Sequence, residues 1–152
     1  MKHLFSVAVS LILFGCNNSE SSADTSNSSE NKPEIEQYCF ATDAGSKDSI
    51  HLEITIVNTG VTGKLFYRID GKDTNSGTLS GDLRGDTIIA DYTFNSEGTS
   101  SVRQVAFLKN GDQLIEGFGP FEEIEGKIRF RSLSDLHFTG IVLSKITCAD
   151  SE

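Results

Sequence analysis

The stretch "SIHLEITIVN" at residues 49–58 decides the fold class of the chain. Apolar side chains stand at every second position of it, at Ile50, Leu52, Ile54 and Ile56. The positions between them hold His51, Glu53, Thr55 and Val57. A repeat of two is typical of a β-strand with one packed face and one face in water, whereas a helix would repeat about every 3.6 residues. The stretch therefore predicts a strand.

The same alternation occurs further along the chain. It aligns Leu65, Tyr67 and Ile69 in "KLFYRID", Ile88, Ala90, Tyr92 and Phe94 in "DTIIADYTF", and Ile128 and Phe130 in "KIRFRS". "QYCFATD" is predicted as the first strand and "GIVLSKITCAD" as the last. No long stretch has a helical period, although "SLSDLHF" at 132–138 could form one short turn. Every run is half apolar and half polar, which suits a sheet that is packed on one side only.

Turn sequences separate these runs at short intervals. They are "NTG" from 58, "DGKDTNSG" from 70, "RGD" from 84, "SEG" from 96, "NGD" from 110 and "EG" from 125. Asn and Gly accept the positive φ angles of tight hairpins, so neighbouring strands are expected to pair antiparallel in chain order. Roughly eight or nine strands are expected, and closing them into a small barrel removes both exposed edges. A two-sheet β-sandwich is the alternative.

The first residues have the layout of an export signal. Lys2 and His3 precede the apolar stretch "LFSVAVSLILFG", which ends at Cys16. The stretch is shorter than the about 20 residues that a membrane-spanning helix requires. The residues Leu13, Phe14, Gly15 and Cys16 resemble the lipobox of bacterial lipoproteins. The resemblance implies a signal peptide over 1–15, acylation of Cys16, and membrane attachment through that lipid.

Residues 16–33 are predicted to form a flexible tether. The segment after the cysteine, "NNSESSADTSNSSENKP", lacks large apolar residues and cannot offset its ordering entropy by burial. Residues 34–152 then form the predicted β-barrel domain. Asn17 follows Cys16 where inner-membrane lipoproteins would have Asp, so by analogy the protein is expected in the cell envelope at the outer membrane.

Two further cysteines fit a closed barrel. Cys39 lies in the first predicted strand and Cys148 in the last, and these strands are neighbours in a closed meander. Exported proteins meet an oxidising environment, so a disulfide is favoured over two free buried thiols. A metal site that pairs these cysteines with His137 is not supported, because the spacing matches no zinc pattern.

Residues 77–119, "GTLSGDLRGDTIIADYTFNSEGTSSVRQVAFLKNGDQLIEGFG", extend the resemblance beyond the leader. Their glycine, strand and "ADYTF.SEG" pattern resembles that of small lipocalin-like or uncharacterised β-barrel lipoproteins of Bacteroidota. The resemblance implies a fold and an envelope location, and it assigns no functional residue. "DSI" at 48–50 and "DTI" at 86–88 also resemble short O-glycosylation sites of such envelope proteins, although both equally suit the start of a strand.

Motifs for catalysis are missing from the sequence. It has no G-x-S-x-G elbow, no HExxH and no P-loop, so no catalytic residue, metal ligand or cofactor is predicted and an enzyme is not expected. The net charge of −9 argues against nucleic acid as a partner, since phosphate binding needs clustered Lys and Arg.

Two functional hypotheses remain from the sequence. The first is a binding module that holds a small apolar ligand, with Tyr67, Tyr92 and Phe94 lining the barrel cavity. The second is a structural or interaction protein of the envelope, with a filled core and a protein partner. Aromatic residues at inward positions suit either hypothesis, because they can line a cavity or fill a core. The size of the internal cavity discriminates between them.

Overall fold

The computed structural model describes residues 32–72, 74–96 and 98–148. The predicted signal peptide, Cys16 and all but the last residues of the predicted tether lie outside the described residues. The strands are β1 (Ile35–Ala41), β2 (Ser49–Val57), β3 (Gly60–Arg68), β4 (Thr74–Arg84), β5 (Thr87–Ser96), β6 (Thr99–Asn110), β7 (Gln113–Gly117), β8 (Phe121–Ile124), β9 (Lys127–Phe130) and β10 (Val142–Ile146). A short 3₁₀ helix covers Leu133–Asp135, inside the stretch predicted to hold one turn.

Strand alternation is confirmed where it is clearest in the sequence. The four aligned residues of β2 are buried, and its intervening side chains are exposed or half-buried. Leu65 and Tyr67 of β3 are buried, as are Ile88, Ala90 and Tyr92 of β5. Most of the predicted turns also form, although 74–77 of "DGKDTNSG" belong to β4. Asn58 and Glu125 adopt φ values of 58° and 51° in two of these turns. The described part of the chain is therefore all-β, as predicted.

Eight of the strands form a closed ring. From β1 to β7 each strand pairs antiparallel with the next, and β10 then pairs with both β7 and β1. The first and last strands are thus neighbours, as the closed arrangement predicts. No helix among the described residues is long and apolar enough to cross a membrane.

The prediction of a purely antiparallel meander of eight or nine strands is wrong in one region. The sheet contains ten strands, and β9 pairs parallel with β6 at Val102 and Arg103. The cause is a mismatch in length, since β6 has 12 residues and β7 only 5. The first part of β6 extends past β7, and the hairpin of β8 and β9 supplies partners for its backbone groups.

The main core fills the inside of the ring. Its buried residues include Phe40, Ile50, Leu52, Ile54, Ile56, Val61, Leu65, Leu79, Ile88, Val105, Phe107, Leu114 and Leu143. A second, smaller cluster of Ile89, Ala106 and Phe130 lies on the opposite face of the sheet, packed against Leu136 and Phe138. The expectation that every strand has one face in water is therefore wrong for β5 and β6, because the segment from β9 to Phe138 covers their outer face.

Cys39 and Cys148 form the predicted disulfide, with their Cα atoms 5.2 Å apart. The prediction that Cys148 lies in the last strand is wrong, because β10 ends at Ile146 and Cys148 follows it. The pairing of β1 with β10 covers only Cys39–Ile146, Phe40–Lys145 and Ala41–Ser144. The disulfide thus lies beside the short β1–β10 pairing that closes the ring, which we call the seam.

Candidate functional site

Four side chains with polar groups meet inside one end of the ring. Tyr67 lies near the end of β3, and Tyr92 on β5 is the register partner of Arg103 on β6. Glu116 lies near the end of β7. These positions alternate with outward-facing ones, so strand geometry directs all four inward. This is the end of the ring where β3 turns into β4, and β1 begins at the opposite end, with Ile35 paired to Val57.

A buried hydrogen bond joins β3 to β7. The Tyr67 hydroxyl donates to Oε1 of Glu116 at 2.7 Å, and the two residues are 4% and 7% exposed. Burial raises the pKa of the Glu116 carboxyl, while the Tyr67 hydrogen bond and the Arg103 charge partly oppose that rise. Burial and the nearby Glu116 also raise the pKa of Tyr67. Glu116 is the buried charged side chain of the described part of the chain.

The Arg103 guanidinium lies among three aromatic rings. Its central carbon is 5.2 Å from the ring centroid of Tyr67, 5.8 Å from that of Tyr92 and 5.7 Å from that of Phe94. These distances fit cation–π attraction. Tyr92 and Phe94 stack on each other with centroids 4.9 Å apart, and Tyr67 meets Tyr92 edge-on. The aromatic residues therefore hold the guanidinium in place.

Two buried polar groups of this cluster have no hydrogen-bond partner among the described residues. They are Nε of Arg103 and the hydroxyl of Tyr92. Burial raises the pKa of Tyr92 to about 12, with the Arg103 charge acting against that rise. Native proteins satisfy most buried polar groups, and each exception carries a desolvation cost. Each such group in a native protein calls for an explanation, and a bound ion is one of them.

A cavity of about 430 Å³ opens at this end of the ring. Its wall includes Tyr67, Lys72, Asn75, Arg103, Glu116 and Phe118. A second cavity of about 300 Å³ shares Arg103, Glu116 and Phe118 with the first. It extends beneath the β8–β9 hairpin to Phe121, Ile128 and Phe130. Both cavities thus border the side chains of Arg103 and Glu116.

Of the three predicted lining residues, Tyr67 is in the wall of the larger cavity. Tyr92 is fully buried and Phe94 packs on the core, so these two rings form the layer behind Tyr67 and Arg103. The structure therefore brings the three predicted residues together at one place. Of these three residues, Tyr67 lines the cavity, and Tyr92 and Phe94 do not.

Sequence reasoning missed Arg103 and Glu116. A signal for them was present in the two-residue repeat. Arg103 stands two residues before the inward Val105 of β6, and Glu116 stands two residues after the inward Leu114 of β7. A charged residue in the inward register of a strand is unusual, since a buried charge needs a partner. This register test would have identified both residues from the sequence.

Other reactive groups lie apart from this cluster. His51 is exposed on β2, and the backbone of the exposed His137 pairs with that of Phe118. Within the described ranges, no three His, Cys, Asp or Glu side chains come close enough to hold a metal ion. The site therefore consists of an immobilised cation, a buried carboxyl group and aromatic surface, a set suited to binding a ligand.

Comparison of the chain with protein-family models, with curated proteins and with solved structures gave no match.

Proposed function

We propose that the protein is a lipid-anchored lipoprotein of the bacterial cell envelope, held at the outer membrane by Cys16. In this proposal the strand ring acts as a small lipocalin-like barrel that binds a small ligand with an apolar body. The lipobox-like residues and the Ser-rich and Asn-rich segment after them support the anchor. The cavity at the end of the ring supports the binding role.

The observation that carries the binding role is a cavity of ligand size with the Arg103 Nε beside it, which is unpartnered among the described residues. Ligand sites in proteins usually enclose about 300–1,000 Å³, and the cavity of about 430 Å³ falls in this range. The rest of the ring is filled with apolar side chains, so the ligand would lie at the mouth of the barrel. Since β1 begins at the opposite end of the ring, the chain enters the domain away from that mouth.

The binding role can be tested by filling the cavity. Asn75 lines it, and Asn75→Phe would occupy its volume. Ser80→Phe places the same side chain on the outer face of the same strand as a matched control. Native mass spectrometry of full-length protein, gently extracted from its own membranes, should show an added mass for the wild type and for Ser80→Phe. Asn75→Phe should give the bare mass.

A bare mass for the wild type in every preparation would contradict the binding role. An added mass that persists in Asn75→Phe would place the ligand elsewhere in the protein and would contradict the assignment of this cavity.

The anchor has its own test. Cys16→Ser should move the protein into the soluble fraction and abolish incorporation of labelled fatty acid, because a single uncleaved apolar segment of this length anchors poorly. The lipid anchor would be contradicted if Cys16→Ser stayed in the membrane fraction like the wild type and neither protein incorporated labelled fatty acid. The binding role would remain intact.

A structural or interaction protein is the second candidate, and the edge of the sheet favours it. Strand β8 ends the strand order, with no further strand beside it among the described residues. Its Phe121 and Ile124 are 42% and 46% exposed. An apolar edge strand can pair with a strand of another protein. Under this candidate the native mass would be bare, and the cavity-filling Asn75→Phe would not alter the association of the protein with its envelope partner.

A further inference from the structure

We infer that the ligand is an amphiphilic anion, whose acidic head group pairs with Arg103 and Lys72 and whose apolar body lies beneath the β8–β9 hairpin. This inference rests on the proposed binding role and names the chemical class of its ligand.

The first argument is the state of Arg103. Its guanidinium is half-buried, its Nε has no hydrogen-bond partner, and no carboxylate lies within ion-pair distance of it in the described part of the chain. Desolvating a cation without a paired anion is costly, and the aromatic rings around it compensate only in part. An anion entering the cavity would supply both the charge and the missing acceptor. The protein as a whole carries a net charge of −9, so a cationic cavity wall is a local reversal of its charge.

The second argument is the balance of charge in the wall of the larger cavity. Among the described residues of this wall, Arg103 and Lys72 contribute two cations and Glu116 contributes one acidic group. One oxygen of Glu116 already accepts a hydrogen bond from the Tyr67 hydroxyl. The wall therefore favours an anion over a cation.

The third argument is the exposed apolar surface of the smaller cavity, which also borders Arg103. Phe118, Phe121 and Ile128 are 46%, 42% and 38% exposed, and all three line the smaller cavity. Clustered exposed apolar side chains mark binding surfaces. Since the two cavities share Arg103 and Glu116, a head group at Arg103 would leave an attached apolar chain in contact with these residues.

The inference can be tested with three linear eight-carbon probes, namely octanoate, octyl phosphate and octanol. The ¹⁵N-labelled full-length protein in lipid nanodiscs would be titrated with each probe and followed by NMR at the Arg103 Nε–H group and nearby backbone amides. These local signals separate binding in the cavity from partition into lipid. Charge-assisted hydrogen bonds should make the two anions bind about tenfold more tightly than octanol.

Variants assign the effect to the cavity. Arg103→Gln should reduce octanoate affinity to that of octanol, and Arg84→Gln, exposed beside the β4–β5 turn at the other end of the ring, should leave it unchanged. If Arg103→Gln does not fold, Lys72→Gln on the exposed β3–β4 turn should weaken octanoate binding and leave octanol binding unchanged. The anionic probe that binds with higher affinity indicates whether the head group is a carboxylate or a phosphate.

The outcomes separate this inference from the proposed function. Equal affinity for octanol and octanoate would overturn the anionic head group and would leave a cavity that binds apolar ligands. No change at Arg103 with any of the three probes would overturn both the inference and the binding role.

Discussion

The two ends of the strand ring share one alternation of inward and outward residues, yet their interiors differ. At the end where β2 turns into β3, the inward positions are apolar: Ile56, Val61, Ile88 and Leu114. At the other end they include Tyr67, Tyr92, Arg103 and Glu116, beside a cavity. The apolar end gains free energy from burial, whereas the polar end carries unpartnered groups that cost free energy. The difference indicates that one end stabilises the fold and the other is adapted to bind.

The largest expected effect is in the apolar core that the two ends share. Phe107 is fully buried, and Phe107→Ala would remove its packing and leave a cavity. We expect a loss of about 3–5 kcal/mol in the free energy of unfolding, measured by urea denaturation. Ser80→Ala, on the outer face of β4, should change it by less than about 0.5 kcal/mol. A small loss for Phe107→Ala would contradict the tight packing of the core.

The disulfide at the seam should have the next largest effect. Replacing Cys39 and Cys148 together with Ser should lower the free energy of unfolding by about 2–5 kcal/mol, because the bridge restricts a long loop of the unfolded chain. Alkylation of denatured, unreduced protein should leave both cysteines unmodified. Labelling of both thiols under these conditions would show that the bridge is not formed.

At the polar end, Tyr67→Phe should cost about 1–3 kcal/mol. The substitution preserves the ring but removes the hydroxyl that donates to Glu116, so the buried carboxyl loses its partner. The loss should largely disappear when Glu116→Leu is already present, which a double-mutant cycle of urea denaturation would measure. Additive effects of the two substitutions would mean that the hydrogen bond does not couple them.

Glu116 should make the stability of the polar end depend on pH. Its pKa is raised in the folded protein above the ordinary value of 4.5, so folding favours the protonated form. The penalty for ionisation is absent below pH about 4.5 and grows as pH rises toward the folded pKa. Glu116→Gln, whose amide oxygen can still accept from Tyr67, lacks this penalty. Its stability relative to wild type should therefore increase with pH across this range in denaturation measurements. A constant difference would contradict the raised pKa.

The smallest expected effect is at Tyr92. Its hydroxyl is buried without a partner among the described residues, so Tyr92→Phe should leave stability unchanged or raise it by up to about 1 kcal/mol. Ile88→Val on the same strand, at the apolar end, should instead lower it by about 0.5–1.5 kcal/mol. A clear loss for Tyr92→Phe in thermal or urea denaturation would show that the hydroxyl has a bonded partner, and would weaken the contrast between the two ends.

Local sequence patterns were enough to predict the all-β class, several of the strands, most of the turns and the disulfide. Alternation in β2, β3 and β5 depends only on the two-residue repeat of an extended chain, so it is visible locally. The neighbouring positions of Cys39 and Cys148 followed from closing consecutive hairpins into a ring. The lipid anchor at Cys16 stays a prediction of the sequence, since that residue lies outside the described part of the chain.

The position of the polar end and its surroundings depend on contacts between distant parts of the chain. Tyr67 and Glu116 are 49 residues apart in the chain, and their hydrogen bond requires the register of several strands together with closure of the ring. The parallel pairing of β9 with β6 depends on β7 being too short to cover β6, which no local pattern reveals. Local alternation specifies which face a side chain takes, whereas the partners on that face are set by contacts between strands distant in sequence.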